Sequence, residues 1–215
     1  VSLTHLSRTL DPTDYAHLVP ELAVVDRHGI EGQHEHRRWE YALALHAVRR
    51  WTERPLTALR DPLYDVGGAG STFHEMLGEW TDCQVQVIDP VAPASAALDQ
   101  WLFDGEHGRP MADVVTCLSV IEHVADVDRF LYHLSCLVAP GGLLVLTMDY
   151  WSRCGKDTAH FAHMRERIFC PKSYQALVTR LGAHDLLPFG GIDLTYHGAQ
   201  VYDYTFASLV VEKRR

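Results

Sequence analysis

The stretch Leu63-Tyr64-Asp65-Val66-Gly67-Gly68-Ala69-Gly70-Ser71-Thr72-Phe73 constrains this chain more than any other. An apolar run ends on a carboxylate and is followed by three glycines within four positions, which reads as a strand passing through a tight turn into a helix. Glycine accepts positive φ and has no Cβ, so a turn of this composition lets a ligand reach the peptide N–H groups. A nucleotide-like cofactor is the guest that such a turn suits.

Further signals follow at matching distances. Val85-Gln86-Val87-Ile88-Asp89-Pro90 alternates like a strand and closes on a carboxylate. It lies about 20 residues beyond the glycines, where a nucleoside-binding α/β unit places the acid that holds ribose hydroxyls. Ala112 to Leu118 is a continuous apolar run of the kind found in a parallel strand covered on both faces, and it leads directly into Ser119-Val120-Ile121-Glu122-His123-Val124. Pro140-Gly141-Gly142 then turns the chain into another strand, Leu143 to Asp149.

On these residues the sequence resembles the class I S-adenosylmethionine-dependent methyltransferases. The resemblance rests on Asp65-x-Gly67-Gly68-Ala69-Gly70-Ser71, Asp89, Ile121-Glu122-His123-Val124 and Leu137-Val138-Ala139-Pro140-Gly141-Gly142, all in that family's order, and is close over residues 60 to 150. Ala69 and Ser71 stand where the commonest form of the motif has glycines. The resemblance implies an α/β fold: a Rossmann-like, seven-stranded, mostly parallel sheet with helices on both faces and an antiparallel last strand. It implies S-adenosyl-L-methionine as cofactor, with Gly67, Gly68 and Gly70 presenting backbone to the methionine part and Asp65 orienting that end. Asp89 is then expected to accept from both ribose hydroxyls, Asp104 to accept from the adenine amino group, and Ser119 to lie where the strand at 112–118 meets the cofactor.

The implied reaction is in-line methyl transfer to an oxygen or nitrogen of a small-molecule acceptor, in which the protein aligns the partners and manages the acceptor's proton. His123 is the candidate general base, since an imidazole with a reference pKa near ~6.5 takes a proton at neutral pH. The plainer alternative is a histidine that packs or caps the next helix. Asp149 is the second candidate catalytic residue, and with Tyr150, His160 and His163 it is placed to line the acceptor site. Ser119-Val120-Ile121-Glu122-His123 also looks like the metal-binding stretch of ubiquinone-biosynthesis O-methyltransferases, but Ser119 stands where their first carboxylate does. No metal is therefore expected. His34-x-His36 lacks a third ligand and reads as a solvated pair at a helix start.

Composition narrows the partners. A formal net charge of -9 disfavours nucleic acid, whose non-specific affinity comes from clustered Lys and Arg. The five cysteines are scattered with no Cys-x-x-Cys pair, which favours a reducing, cytoplasmic setting. No apolar run approaches the ~20 residues that cross a bilayer. At 215 residues one domain is the default: a helical lid segment over 1–58 and a Rossmann-like core over 59–215.

In chain order, a short helix is expected around Asp14 to Leu18. An amphipathic helix follows from Gln33 to Trp51; its plainer reading is a helix packed on the sheet, and the alternative makes Trp39 and Glu40 contacts to the methionine end of a cofactor. Helices are also expected from Ser71 to Trp80, over Val127 to Val138, and from Pro171 to Gly182. Further strands are placed in Ala96 to Asp104, near His184 to Leu187, and from Tyr204 to Val211; a loop holds Gly190 and Gly191. The loops at 150–170 and 189–203 are expected to shape acceptor specificity, and their aromatics Tyr150, Trp151, Phe161 and Tyr196 hint at an acceptor with a flat or apolar part or, equally well, serve as buried loop anchors.

Three rival readings share features of the sequence. An NAD-dependent oxidoreductase shares the strand, turn and acid, but Phe73 replaces its third glycine and no Tyr-x-x-x-Lys occurs. A nucleic-acid base methyltransferase acting on exocyclic amines carries Asn/Asp-Pro-Pro-aromatic where this chain has Ser119-Val120-Ile121-Glu122. A non-catalytic cofactor-binding scaffold is the third.

Overall fold

The structure of the protein, a computed structural model, describes residues 5–30, 35–55, 58–89, 110–154, 167–197 and 204–215. The glycine turn joins β2 (Leu63–Val66) to α3 (Phe73–Thr81), and α3 returns the chain to β3 (Val85–Ile88), parallel to β2 in the register Asp65↔Val87 and Val66↔Ile88. The chain then crosses to the other side of β2. There β4 (Ala112–Leu118) pairs in parallel with β2, and β5 (Val138–Tyr150) pairs in parallel with β4. The β2/β4 boundary is thus where the strand order reverses, the place at which open α/β sheets bind ligands beyond the strand carboxyl ends.

The sheet is completed by β6 (Leu186–Pro188) and β8 (Thr205–Lys213), in the order β3-β2-β4-β5-β8-β6, with β8 antiparallel to both of its neighbours. Among the described residues this main sheet has six strands, and the strand expected in Ala96 to Asp104 lies outside them.

Alternation sorts the strand side chains onto two cores, because successive residues of a strand point to opposite faces. Leu63, Val114, Leu143 and Val145 join one cluster with α1 (Val19–Arg27), α2 (Glu35–Thr52) and α3. Tyr64, Val115, Leu144 and Leu146 join the other with α4 (Val127–Leu137) and α5 (Pro171–Gly182). The continuous apolar runs of β4 and β5 exist because both of their faces are covered. The helix expected over Val127 to Val138 ends at Leu137, and Val138 already belongs to β5.

The first part of the chain departs most from expectation. The helix placed around Asp14 to Leu18 is instead a 3-10 turn over Pro12–Ala16, started by the Asp11 carboxylate accepting from Thr13 N at 2.8 Å. The nine-residue α1 follows, with Pro20 in its first turn, where a missing N–H costs nothing. The segment is not wholly helical: β1 (His5–Arg8) pairs in parallel with β7 (Gly191–Asp193), so Gly191 starts a strand where a loop was expected. A Cβ at Gly191 would collide with the ring of His5. His36 is buried and stacked on Phe206, with ring centroids 4.1 Å apart, which corrects its reading as solvated; His34 lies outside the described residues.

The cysteine reading is corrected at two positions. Cys154 and Cys170 form a disulfide across a sequence separation of 16, whereas Cys83, Cys117 and Cys136 keep their thiols. Spacing could not reveal the pair, because Tyr150 and Phe169 bring its two ends together through a β-bridge. Among the described residues no helix is long and apolar enough to cross a membrane.

Candidate active site

At the carboxyl end of β2 the turn is built for close approach. Gly67 and Gly70 have φ of +80° and +83°, the left-handed region that glycine enters without penalty. Gly67 N donates to Ile88 O at 2.8 Å, and Ser71 N donates to Gly68 O at 3.0 Å, which closes the turn at the entrance to α3. A Cβ on Gly67 would strike Val120, and one on Gly68 would strike the Asp65 carboxylate; around Gly70 there is open space.

Asp65 is buried, and Oδ1 accepts from Thr116 Oγ1 at 2.8 Å. Oδ2 is equally buried and has no hydrogen-bond partner among the described residues. Burial pushes this carboxyl up to about 7; the Thr116 hydrogen bond opposes the rise and the charge of Asp89 adds to it. Asp89, half-buried after β3, accepts from Ala69 N at 2.8 Å through Oδ2. Asp89 therefore ties the turn through one oxygen.

The opposite wall comes from α2. Arg37 and Tyr41, one helical turn apart, line a cavity of about 180 Å³ together with Asp65, residues 66–71, Phe73, Leu118 and Ser119. That is less than the roughly 300 Å³ at which pockets for whole drug-sized ligands begin, so the described walls account for one end of a nucleoside-sized guest. Tyr41 packs against Phe73 with ring centroids 5.0 Å apart, and burial raises its phenol. Ser119 follows β4 at φ +51°, with its N–H on Thr147 Oγ1 at 2.9 Å and its hydroxyl on Glu40 Oε1 at 2.5 Å. That buried bond fastens α2 to the end of β4. Trp39 is fully buried, and its Nε1 donates to Asp14 at 2.9 Å, so it anchors α2 from behind and is not a wall of the cavity.

Beyond Ser119 lies a second group of charges. Glu40 Oε2 is 3.3 Å from Arg37, and the guanidinium also faces Tyr41, Glu122 and Asp149. Burial works against the charge of Arg37, but these neighbours outweigh it and raise its pKa. Glu122, in the 3-10 turn Ile121–His123, is buried with Oε2 unpartnered among the described residues. Burial first, then Asp149, pushes it well above the ordinary carboxylate range. Asp149, near the end of β5, is buried in the same group. His123 is half-buried on the same turn as Glu122 but does not line the cavity. Tyr150 packs into the core against Tyr174, away from the site where it was expected. Trp151 and Tyr196 meet edge to face at 5.5 Å. Asp104, His160, Phe161 and His163 lie outside the described residues. Among the described residues no three His, Cys, Asp or Glu side chains are grouped to hold a metal ion.

Of the residues expected to hold a cofactor, Asp65, Gly67, Gly68, Gly70 and Ser119 line one cavity, Asp89 is bonded to the turn without being among its walls, and Asp104 lies outside the described residues. The sequence reading missed Arg37 and treated Tyr41 only as a core position. The signal was present in the i, i+3, i+4 spacing of Arg37, Glu40 and Tyr41, which sets two charges and a phenol on one face of a helix otherwise lined by apolar residues.

The turn fits a guest with an ammonium or similar donor group: a glycine cradle that side chains would fill, and a buried carboxylate oxygen awaiting a partner. No curated protein matches the chain. Among solved structures it is similar to the N-methyltransferase NodS from Bradyrhizobium japonicum WM9, bound to S-adenosylhomocysteine, at 16% identity over 94% of this chain and 98% of that one, with a TM-score of 0.56. It is similar to the geranyl diphosphate C-methyltransferase from Streptomyces coelicolor A3(2), at 14% identity over 95% and 90%, with a TM-score of 0.57. The [4+2]-cyclase SpnF gives 15% identity over 94% of each chain and a TM-score of 0.53. At these identities the likeness is one of fold. A family model described as "Methyltransferase domain" matches residues 34–186, from the start of α2 to β6. The chain belongs to that family of methyltransferase domains, the S-adenosylmethionine-dependent enzymes.

Proposed function

We propose that the protein transfers a methyl group from S-adenosylmethionine to an oxygen or nitrogen of a small-molecule acceptor. The observation that carries this reading is the buried Oδ2 of Asp65 beside Gly68, unpartnered among the described residues, at the point where the strand order reverses. In this reading Gly67, Gly68 and Gly70 leave room for the methionine end, and Asp65 accepts from its ammonium group. Asp89 takes the ribose hydroxyls with the oxygen that Ala69 does not use, and Asp104 meets the adenine. Ser119 holds Glu40, and with it α2, against the cavity.

When bound, the donor supplies an activated methyl on a positively charged sulfur. The chain's part is to align the acceptor, exclude water and take a proton. Asp149 contacts the acceptor near its reacting atom, and His123, half-exposed on the adjoining turn, serves as the general base. The net charge of -9 supports a small molecule over nucleic acid as acceptor.

The test is incubation with S-adenosylmethionine and a panel of small hydroxyl and amine compounds, read by mass spectrometry for the gain of one methyl. A methylated product with His123→Ala slowed at least tenfold supports the reading. Binding of S-adenosylhomocysteine without turnover on any acceptor would favour a scaffold.

A further inference from the structure

The Cys154–Cys170 disulfide takes no part in the reaction above, yet it fastens the strip 167–170 to the end of β5. In that strip Phe169 N donates to Asp149 O at 2.9 Å, Trp151 N donates to Phe169 O at 2.8 Å, and Arg167 N donates to Glu122 O at 3.0 Å. Phe169 is itself buried in the core shared with α4 and α5. These restraints hold the strip whether or not the two sulfurs are joined, so the fold accommodates the dithiol as well as the disulfide. A cross-link that the fold does not require can open and close without unfolding the chain.

The two sulfurs are unequal. Cys154 is exposed, whereas Cys170 is half-buried as the N-cap of α5, a helix of twelve residues. There the Ser173 hydroxyl, in the first turn, lies 3.7 Å from Cys170 Sγ as a donor, and the backbone N–H groups of a first turn have no partner within their helix. A helix N-terminus stabilises a thiolate over a thiol, and a stabilised thiolate is the better leaving group. The accessible sulfur is thus the one attacked, and the stabilised one departs. Elsewhere burial pushes the thiols of Cys83 and Cys117 up, which keeps both protonated and slow to exchange.

We propose that Cys154–Cys170 is a reversible thiol–disulfide exchange site, opened by a thiol reductant that attacks Cys154, and that its state sets how firmly the strip 167–170 is held against Glu122 and Asp149. One thiolate of the reductant bonds to Cys154 Sγ, and the disulfide breaks with its electron pair on Cys170 Sγ. A second thiol then takes the reductant's sulfur and expels Cys154 as a thiolate. The two protons given up by the reductant pass to the two cysteines, and the reductant leaves as a disulfide, oxidised by two electrons. Exchange at this pair is independent of whether the cavity binds S-adenosylmethionine. Without the cross-link the strip depends on its backbone bonds and on Phe169 alone, and it opens more often.

The experiment equilibrates the whole protein, without cofactor, in glutathione buffers running from oxidising to as reducing as the cytosol, then quenches with acid, alkylates and maps the adducts by mass spectrometry. The pair is expected to pass from disulfide to dithiol within that range, which a purely structural disulfide resists. Glutathione trapped in transit should sit on Cys154. Amide hydrogen exchange at Trp151 and Phe169 should be roughly tenfold faster or more in the dithiol form, and the double variant Cys154→Ser with Cys170→Ser should show the faster exchange in every buffer. If the double variant does not fold, the wild-type protein in the two extreme buffers decides alone. A pair that stays oxidised in the most reducing buffer, one that stays reduced in the most oxidising, glutathione trapped on Cys170, or equal hydrogen exchange in the two forms would each overturn the proposal. Failure to bind S-adenosylhomocysteine in a separate titration would overturn only the methyl-transfer reading.

Discussion

The two halves of the site are made differently. The half proposed to hold the donor is backbone: Gly67, Gly68 and Gly70 between β2 and α3, with Asp65 and Asp89 at the tips of adjacent parallel strands. The half proposed to face the acceptor is side chains: Arg37, Glu40 and Tyr41 descend from α2 onto Ser119, Glu122 and Asp149, which follow or end β4 and β5. A backbone site depends on contiguous residues and leaves a local motif. A side-chain site is assembled from segments 80 to 110 positions apart and leaves none. The same division predicts how each half fails: the first by steric collision, the second by loss of a single buried polar bond.

The largest effect belongs to the donor half. Gly68→Val drives a branched side chain into the Asp65 carboxylate and is expected to weaken S-adenosylhomocysteine binding at least 100-fold, or about 3 kcal/mol. Gly70→Ala meets open space and only the positive φ, a penalty of about 1–2 kcal/mol, so its loss should stay near tenfold. Equal losses at the two positions in calorimetry would mean that steric closure does not govern this turn.

Asp65→Asn comes next. It exchanges a charge-assisted bond for a neutral one, and binding should fall by about 10- to 100-fold, in line with roughly 1.5–3 kcal/mol for hydrogen bonds to charged groups. The unliganded protein should respond to pH through the same group. Asp65 keeps its proton up to about 7 when folded, whereas an unfolded chain releases it near the ordinary aspartate value. The stability it contributes is thus present in acid and lost as pH rises through about 7. Thermal melts from pH 4 to 8 should show that decline in the wild type and a flatter profile in Asp65→Asn.

In the acceptor half, Ser119→Ala leaves Glu40 Oε1 buried without its donor. Stability in urea unfolding should drop by about 1–3 kcal/mol, while affinity for S-adenosylhomocysteine changes less than in Asp65→Asn. The smallest readout is a count: the denatured, unreduced protein should titrate three thiols, because Cys154 and Cys170 close the chain behind Asp149. Five would remove the disulfide from the account.

What could be read from the sequence follows the same division. α5 was expected from Pro171 to Gly182 and occupies those residues, and α3 lies within two residues of its expected ends, because local caps and periodicity mark both. β2 to β4 declared themselves through apolar runs ending in turns or carboxylates, whereas β5 was expected only after a turn at Pro140-Gly141-Gly142 and instead contains those residues. The β1–β7 pair joins segments about 185 residues apart through three- and four-residue strands, too short for any periodicity to register. α1 was hidden by Pro20, whose place in a first turn is permissive in three dimensions but reads as a break in one. Arg37 drew no reading from the sequence, because its place depends on β4 and β5 setting Glu122 and Asp149 opposite it.

The central claim is that the β2–α3 turn is a site for S-adenosylmethionine, and calorimetric titration with S-adenosylhomocysteine, and in parallel with NAD, tests it most directly. The account predicts one site per chain for S-adenosylhomocysteine, abolished in Gly68→Val, and no heat with NAD. Binding of NAD with none of S-adenosylhomocysteine, or S-adenosylhomocysteine binding that survives Gly68→Val unchanged, would contradict it.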